Sequence, residues 1–328
     1  MATIVDVAKL AGVTPTTVSR VINNRGYISE KTRNKVNEAM NQLGYQPNEI
    51  ARSLTKQKSN TIGVIVPHIS HPYFAKLISN LENESAKKGY KIILCNSREK
   101  EEKEKEYLDV CKSNRVAGII LCSGNVEAKK INTGNIPVVL LEKNFEEGKL
   151  GIQCDNYQGG RLATEHLIKC GCKRLLHFSG VIDEDMPADN REKAFIDVCN
   201  EKNTEYFIRK YDMKIYNEMN YYDYIKDTLN EIKSVDGIFA SSDLIAAQVI
   251  QVCNELNIKI PQDIKLVGFD DVEISKLTTP TITTIHQPIK EMARLAVKLI
   301  DGKNNNIEVK EKTILPIELI IRNSTLNN

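Results

Sequence analysis

The chain has 328 residues, 41% of them hydrophobic and 27% charged, with a formal net charge of +2. That length allows two or three packed units with cores of their own, and the composition is that of a globular protein rather than a disordered or fibrous one. No apolar run reaches the roughly 20 residues of a membrane-spanning helix, and residues 1–30 hold no secretory apolar segment, so the expected location is the cytoplasm. Charge is unevenly placed: residues 1–60 carry net +5 and the remainder net −3. A basic small domain on a slightly acidic large one implies a local contact with a polyanion.

The first elements form a helix-turn-helix pattern. Ile4 to Ala11 reads as a helix, with Thr3 and Asp6 in capping-box spacing. After Gly12, Thr14 is placed to cap a second helix and Pro15 to occupy its first position, where a missing N–H costs nothing. Val18, Val21 and Ile22 make one apolar face. Thr16, Thr17, Ser19 and Arg20 make the other, with side chains suited to base edges and phosphates. A third helix is expected from Glu30 to Leu43, with Ser29 as its N-cap and Gly44 beyond its end. Its Val36, Ala39, Met40 and Leu43 would close a three-helix core. Asn48–Leu54, followed by polar residues to Asn60, reads as a helix too short to be stable alone, and so as a hinge ordered by DNA or a partner helix.

From Thr61 onward short apolar strands alternate with amphipathic helices. Strands are read at Thr61–Val66, Lys91–Leu94, Gly118–Leu121, Val138–Leu141, Leu175–Phe178, Gly237–Ala240 and Ile264–Phe269, with helices near Glu99–Asn114 and at Tyr157–Lys169. This predicts an α/β fold: two lobes built on parallel sheets, each covered by helices on both faces, with a cleft at the carboxyl ends of the strands. The mixed-sign run Glu99–Glu106 fits a solvated helix face, and Asn304–Asn306 a surface loop. Eight scattered cysteines, with Cys170-Gly171-Cys172 the nearest pair, lack metal-site spacing and read as buried thiols; no metal or cofactor is expected.

Taken together, Thr3–Ala8, Ala11–Val13, Thr17–Asn23, Leu43–Asn48 and Ala51–Leu54 resemble the headpiece of the lac/gal repressor family. The likeness continues through Cys154–Gly160, Val267–Asp271 and Thr283–Pro288 and covers nearly the whole chain. The resemblance implies a helix-turn-helix headpiece at 1–47 and a hinge helix and linker at 48–60. A periplasmic-binding-protein-like domain follows, its N-terminal lobe at 61–157 and 288–314 and its C-terminal lobe at 158–287 and 315–328. It implies a transcriptional repressor without catalytic residues, a homodimer or dimer-based tetramer on a pseudo-palindromic double-stranded operator. A small effector, a sugar and in particular a disaccharide such as sucrose, would sit between the lobes and control operator affinity.

Position by position, Pro15, Thr16 and Arg20 fall at the major groove, Arg20 as a bidentate guanine contact, and Thr17 belongs to the same DNA-binding set. Thr14, Ser19 and Tyr45 resemble phosphate-positioning residues. Leu54, with Asn48 and Ala51 in the same segment, falls where hinge helices drive paired leucines into the minor groove. In the cleft, the resemblance and the strand ends point to Tyr73 and Phe74 as stacking surfaces, and to Glu142, Arg191, Asp270 and Gln287 as polar contacts. Asp243 would either contact the effector or cap the helix that follows it.

One alternative within the same class stays open, and two from other classes weaken. A ligand- or phosphoprotein-activated carbon-catabolite regulator, or a purine-type corepressed repressor, would use the same scaffold with the opposite sign. A transport-associated sugar-binding protein would share the two lobes but would need a signal peptide and would lack residues 1–60. An enzyme finds no G-x-S-x-G elbow, P-loop or carboxylate pair of defined separation to work with.

Overall fold

A computed structural model describes residues 2–46, 59–123, 131–145, 148–181 and 186–326. The chain divides into a unit ending at Ser59 and a larger one beginning at Asn60.

The small unit has three helices, α1 (Ile4–Ala11), α2 (Pro15–Ile22) and α3 (Glu30–Gln42). Both bonds of the α1 capping box form: Asp6 N–H donates to Thr3 Oγ1 at 3.3 Å and Thr3 N–H to Asp6 Oδ2 at 2.8 Å. Gly12 ends α1 in the left-handed region (φ 66°), a geometry that turns the chain tightly toward α2. Thr14 caps α2 by accepting from Thr17 N–H at 3.2 Å, with Pro15 at the first helical position. Val7, Ala8, Ala11, Val18, Val21, Val36 and Ala39 form the core. One expectation is corrected here. Leu43 does not close this core; it is the exposed C-cap of α3, and the core is covered instead by Met40 and Tyr45. The reason is reach, because α3 ends at Gln42 and the chain then turns through Gly44 (φ 57°), bringing Tyr45 back onto the helices. The expected hinge helix at Asn48–Leu54 lies outside the described residues.

The large unit contains two six-stranded sheets. The first is built from β1 (Thr61–Val66), β2 (Lys91–Asn96), β3 (Gly118–Leu121), β4 (Val138–Leu141), β5 (Leu150–Cys154) and, late in the chain, β11 (Lys312–Leu315), in the order β11-β5-β4-β3-β1-β2. Helices α4 (Pro72–Lys87), α5 (Glu101–Ser113) and α12 (Ile289–Asn304) belong to it. The second sheet runs β12-β10-β9-β8-β6-β7, from β6 (Arg174–Val181), β7 (Glu205–Tyr211), β8 (Gly237–Ala240), β9 (Lys265–Asp270), β10 (Thr283–His286) and β12 (Glu318–Ile320). Its helices are α6 (Asn156–Lys169), α7 (Asn190–Glu201), α8 (Met213–Glu218), α9 (Tyr222–Glu231), α10 (Asp243–Glu255) and the single turn α11 (Ile274–Leu277). The chain passes between sheets three times, at β5 to α6, β10 to α12 and β11 to β12.

Strands β1, β3 and β4 are buried along almost their whole length, as strands of a parallel sheet covered on both faces must be. Two apolar layers result. One, around Leu77, Ile120, Met292 and Ala296, lies under α4 and α12, and the other, around Leu108, Cys111 and Leu121, under α5. The second sheet is covered likewise on its two faces. Two details depart from the sequence reading. Strand β12 pairs antiparallel with β10, so the second sheet is mixed, and Leu315 sits in β11 of the first sheet rather than in the second lobe. Seven of the eight cysteines are buried, and all eight are unpaired thiols.

Candidate functional site

In each sheet the strand order reverses near the middle, between β1 and β3 in the first and between β6 and β8 in the second. Helices leave opposite faces at such a point, which opens a crevice beyond the carboxyl ends of the strands. A cavity of about 190 Å³ lies there, lined from both lobes.

Its first wall follows β1, β3 and β4. His71 caps α4, its Nδ1 accepting from Tyr73 N–H at 3.2 Å. This helix start presents the Tyr73 and Phe74 rings, 5.1 Å apart and edge to face. Glu142 follows β4 with φ 54°. Its carboxylate accepts from Cys154 N–H and from Asn156 Nδ2, the latter at 2.9 Å, and burial pushes its pKa up.

The opposite wall follows β6 to β9. Arg191, in the first turn of α7, is buried, with its guanidinium 3.5 Å from the centre of the Phe269 ring. Nε donates to Asn156 Oδ1 and Nη1 to Ser241 O, each at 2.8 Å. Asn156 thus links Glu142 of one lobe to Arg191 of the other, a polar relay across the floor of the cleft. Asp270, at the end of β9, adopts φ 114°, a conformation that costs backbone energy and turns its carboxylate out of the strand. Gln287 Nε2 donates to Asp270 Oδ1 at 2.7 Å, while the buried Gln287 Oε1 has no partner. Burial raises the Asp270 pKa against the opposing pull of Arg191 and Gln287, to about 7.

Six of the seven cleft residues read from sequence therefore line one cavity: Tyr73, Phe74, Glu142, Arg191, Asp270 and Gln287. The seventh does not. Asp243 is fully buried behind β9, accepting from Val272 N–H at 2.9 Å and from Thr284 Oγ1 at 2.6 Å. The cap of α10 is Ser242, whose Oγ accepts from Ile245 N–H. Asp243 is a strut under the Asp270 turn and leaves the effector set.

Sequence reasoning missed Asn156, Ser179, Tyr211, Tyr216, Tyr221 and Ser241. Ser179 lies near the end of β6 and Ser241 just past β8, where the carboxyl-end rule could have found them. Tyr211 ends β7, a strand whose half-buried, charged sequence gave no apolar run. His177 lies beneath the cavity, stacked on Phe239 at 4.5 Å, with Nδ1 bonded to Phe239 O; burial lowers its pKa to about 4.

In the small unit, Thr14, Pro15, Thr16 and Arg20 are exposed, and Thr17, Ser19 and Tyr45 are half-buried. Three hydroxyls are partly committed: Thr17 Oγ1 pairs with Thr14 Oγ1 at 2.9 Å, and Ser19 Oγ accepts from Asn23 Nδ2 at 3.3 Å. The outward surface of α2 is therefore carried mainly by Pro15, Thr16 and Arg20. Asn48, Ala51 and Leu54 lie outside the described residues.

Family models match both units: residues 3–48 match bacterial regulatory proteins of the lacI family, and residues 164–325 a periplasmic binding protein-like domain. The sucrose operon repressor of Streptococcus mutans is 39% identical over 98% of both chains. The chain belongs to the LacI family. The ribose operon repressor of Halalkalibacterium halodurans is 35% identical, covering 99% of this chain and 97% of its own. Among solved structures, the Lac repressor dimer bound to operator and the anti-inducer ONPF matches with a TM-score of 0.87 at 25% identity, covering 99% of each chain. The protein is a DNA-binding transcriptional repressor. Among the described residues no helix is long and apolar enough to cross a membrane.

Proposed function

We propose that this LacI-family repressor controls a sugar-utilisation operon and that a sugar held between its lobes sets its operator affinity. The observation that carries the reading is the cleft floor. There a buried guanidinium, a buried carboxylate and an unpartnered amide oxygen converge between aromatic rings. Forked donors and acceptors match vicinal hydroxyls, and aromatic faces match the apolar face of a sugar ring.

On this reading the protein acts in the cytoplasm as a homodimer, each protomer placing α2 in the major groove of one half-site. Arg20 donates two guanidinium N–H groups to a guanine, Pro15 and Thr16 meet neighbouring base edges, and Thr14, Ser19 and Tyr45 fix register on phosphates. Leu54 wedges the minor groove between the half-sites. Sugar controls the operator only through a difference in affinity between two lobe arrangements, and the Glu142–Asn156–Arg191 relay is the bonded element such a change would break or form.

The test is an operator-binding titration at fixed salt against a panel of sugars. Sucrose and ribose head the panel because repressors of sucrose and ribose operons are the relatives at 39% and 35% identity. A sugar that shifts operator affinity at least tenfold supports the reading; a panel in which none does so refutes it.

A further inference from the structure

We propose, on the basis of the sugar-effector reading, that the effector is a monosaccharide: the cleft encloses one sugar ring and excludes disaccharides, and Tyr216 is the wall that sets this limit. A small cavity is bounded here by buried aromatic packing and by contacts between the lobes.

Space is the first constraint. At the packing density of a protein interior, about 0.75, each non-hydrogen atom of a sugar with its hydrogens takes about 17 Å³. A cavity of about 190 Å³ therefore holds about 11 of them, against about 10–12 in a pentose or hexose and about 23 in a hexose disaccharide. The same scale applies to a dry protein cavity of about 150 Å³, which takes a single benzene ring. One sugar ring fills the space, and a second has to lie outside it.

Most of the described walls cannot yield. On one side Tyr73 is buried, its hydroxyl donating to Met292 Sδ at 4.0 Å. On the other, the buried rings of Tyr211 and Tyr221 meet edge to face at 4.9 Å, and Tyr221 N–H donates to Gln248 Oε1 at 2.6 Å. Both belong to a core layer of the second sheet, so neither turns aside without leaving a void. Bonds between the lobes hold the width: Lys76 Nζ of α4 donates to Asp271 O at 2.8 Å, and the Glu142–Asn156–Arg191 relay crosses the floor. Tyr216 of α8 bridges the lobes as well. It lines the cavity, and its ring meets that of His68 in the N-terminal lobe edge to face at 5.1 Å. Unlike Tyr211 and Tyr221 it is only half-buried, on a helix of 6 residues, so its ring can be removed without emptying the core.

The lining also asks for a high density of hydroxyls in that small space. Two buried acceptors in it lack a donor, Gln287 Oε1 and His177 Nε2. The His177 tautomer is fixed, because Nδ1 faces the Phe239 carbonyl oxygen at 2.8 Å and must carry the proton. Burial lowers the His177 pKa to about 4, so Nε2 stays a bare acceptor near neutral pH. A monosaccharide brings a free hydroxyl on nearly every carbon, and each can donate. A glycosidic link replaces hydroxyls by an ether oxygen, which only accepts.

Calorimetric titration of the full-length protein sets disaccharides against their parts: sucrose against glucose and fructose, maltose against glucose, and lactose against glucose and galactose, with ribose and xylose as pentoses. The best monosaccharide is expected to bind at least about tenfold more tightly than any disaccharide. Tyr216→Ala, checked for native melting, should narrow that ratio at least about threefold by admitting a second ring, whereas Tyr216→Phe keeps the ring and should keep the ratio. A disaccharide that binds the wild type within about tenfold of the best monosaccharide overturns the proposal. An unchanged ratio in a natively melting Tyr216→Ala variant overturns the assignment to Tyr216. Failure of every sugar to bind is a different pattern: it removes the sugar-effector reading and this inference with it.

Discussion

Substituting Gly160 by alanine should uncouple sugar sensing from operator binding without touching the cleft surface. Gly160 lies in α6 where α7 crosses it, and a Cβ there would sit 2.4 Å from the Arg191 carbonyl oxygen and 2.8 Å from Ala194 Cβ. Ordinary contacts begin about 1 Å farther out, and the opposing atom is backbone, so α7 itself must move by roughly that much. Overpacking of this kind costs about 1–3 kcal/mol, and alanine returns up to about 1 kcal/mol through its better helix propensity. At roughly 2–4 °C per kcal/mol for a unit of this size, the melting temperature should fall by only a few degrees. The displaced residue, however, is Arg191, whose 2.8 Å bonds to Asn156 and to Ser241 O fix the floor of the cleft. Losing the alignment of one charge-assisted bond costs about 1.5–3 kcal/mol, so sugar affinity should drop about 10- to 100-fold. Operator binding without sugar should match the wild type, giving a repressor that no longer responds. Calorimetry for sugar, anisotropy for operator and a melting curve make the comparison. Unchanged sugar affinity in a natively melting variant would show that α7 yields without moving Arg191, and the argument would fail.

Three further outcomes are expected. Burial raises the Asp270 pKa, against Arg191 and Gln287, to about 7. A carboxyl with a raised folded pKa contributes stability below its unfolded pKa and loses it as pH climbs through the folded value. Since hydroxyl donors favour the ionised form, sugar affinity should rise between pH 6 and 8, by no more than about tenfold per unit, and Asp270→Asn should flatten the profile; a wild-type profile already flat over that range would remove Asp270 from the site. Arg20→Ala should cost about 1–3 kcal/mol on the operator and relax discrimination at one base pair per half-site, as read by competition among single-base operator variants; a loss uniform across all variants would make Arg20 a phosphate contact instead. Leu54→Ala should weaken operator binding far more than binding to random DNA, and equal losses on the two would dismiss the minor-groove wedge.

How far the sequence reveals this molecule depends on whether a residue's role is local. Thr3, Thr14 and Ser29 cap the helices they were expected to cap, because capping is settled within four residues of the chain. Most strands found from sequence are buried on both faces and read as continuous apolar runs, and the half-exposed edge strand β2 was found through its apolar run Ile92–Leu94. Edge and half-exposed strands such as β7 and β12 carry no such run and escaped notice, and with β7 went Tyr211. Leu43 was misplaced because its helix stops one residue short, which only the packing of Tyr45 decides. Asp243 and Asp270 mark the limit most clearly. Each carboxylate is placed at a strand-to-helix turn or a strand end, and nothing in the neighbouring residues says which faces the cavity. The choice is made by partners 29 and 41 residues away, Val272 and Thr284, which engage Asp243 from behind. With that carboxylate occupied, Asp270 is the one left to turn outward, at φ 114°, toward Gln287 and the cleft. The strain at Asp270 and the strut beneath it are therefore one feature, so Asp243→Asn should loosen the Asp270 turn and weaken sugar binding although residue 243 never meets the ligand.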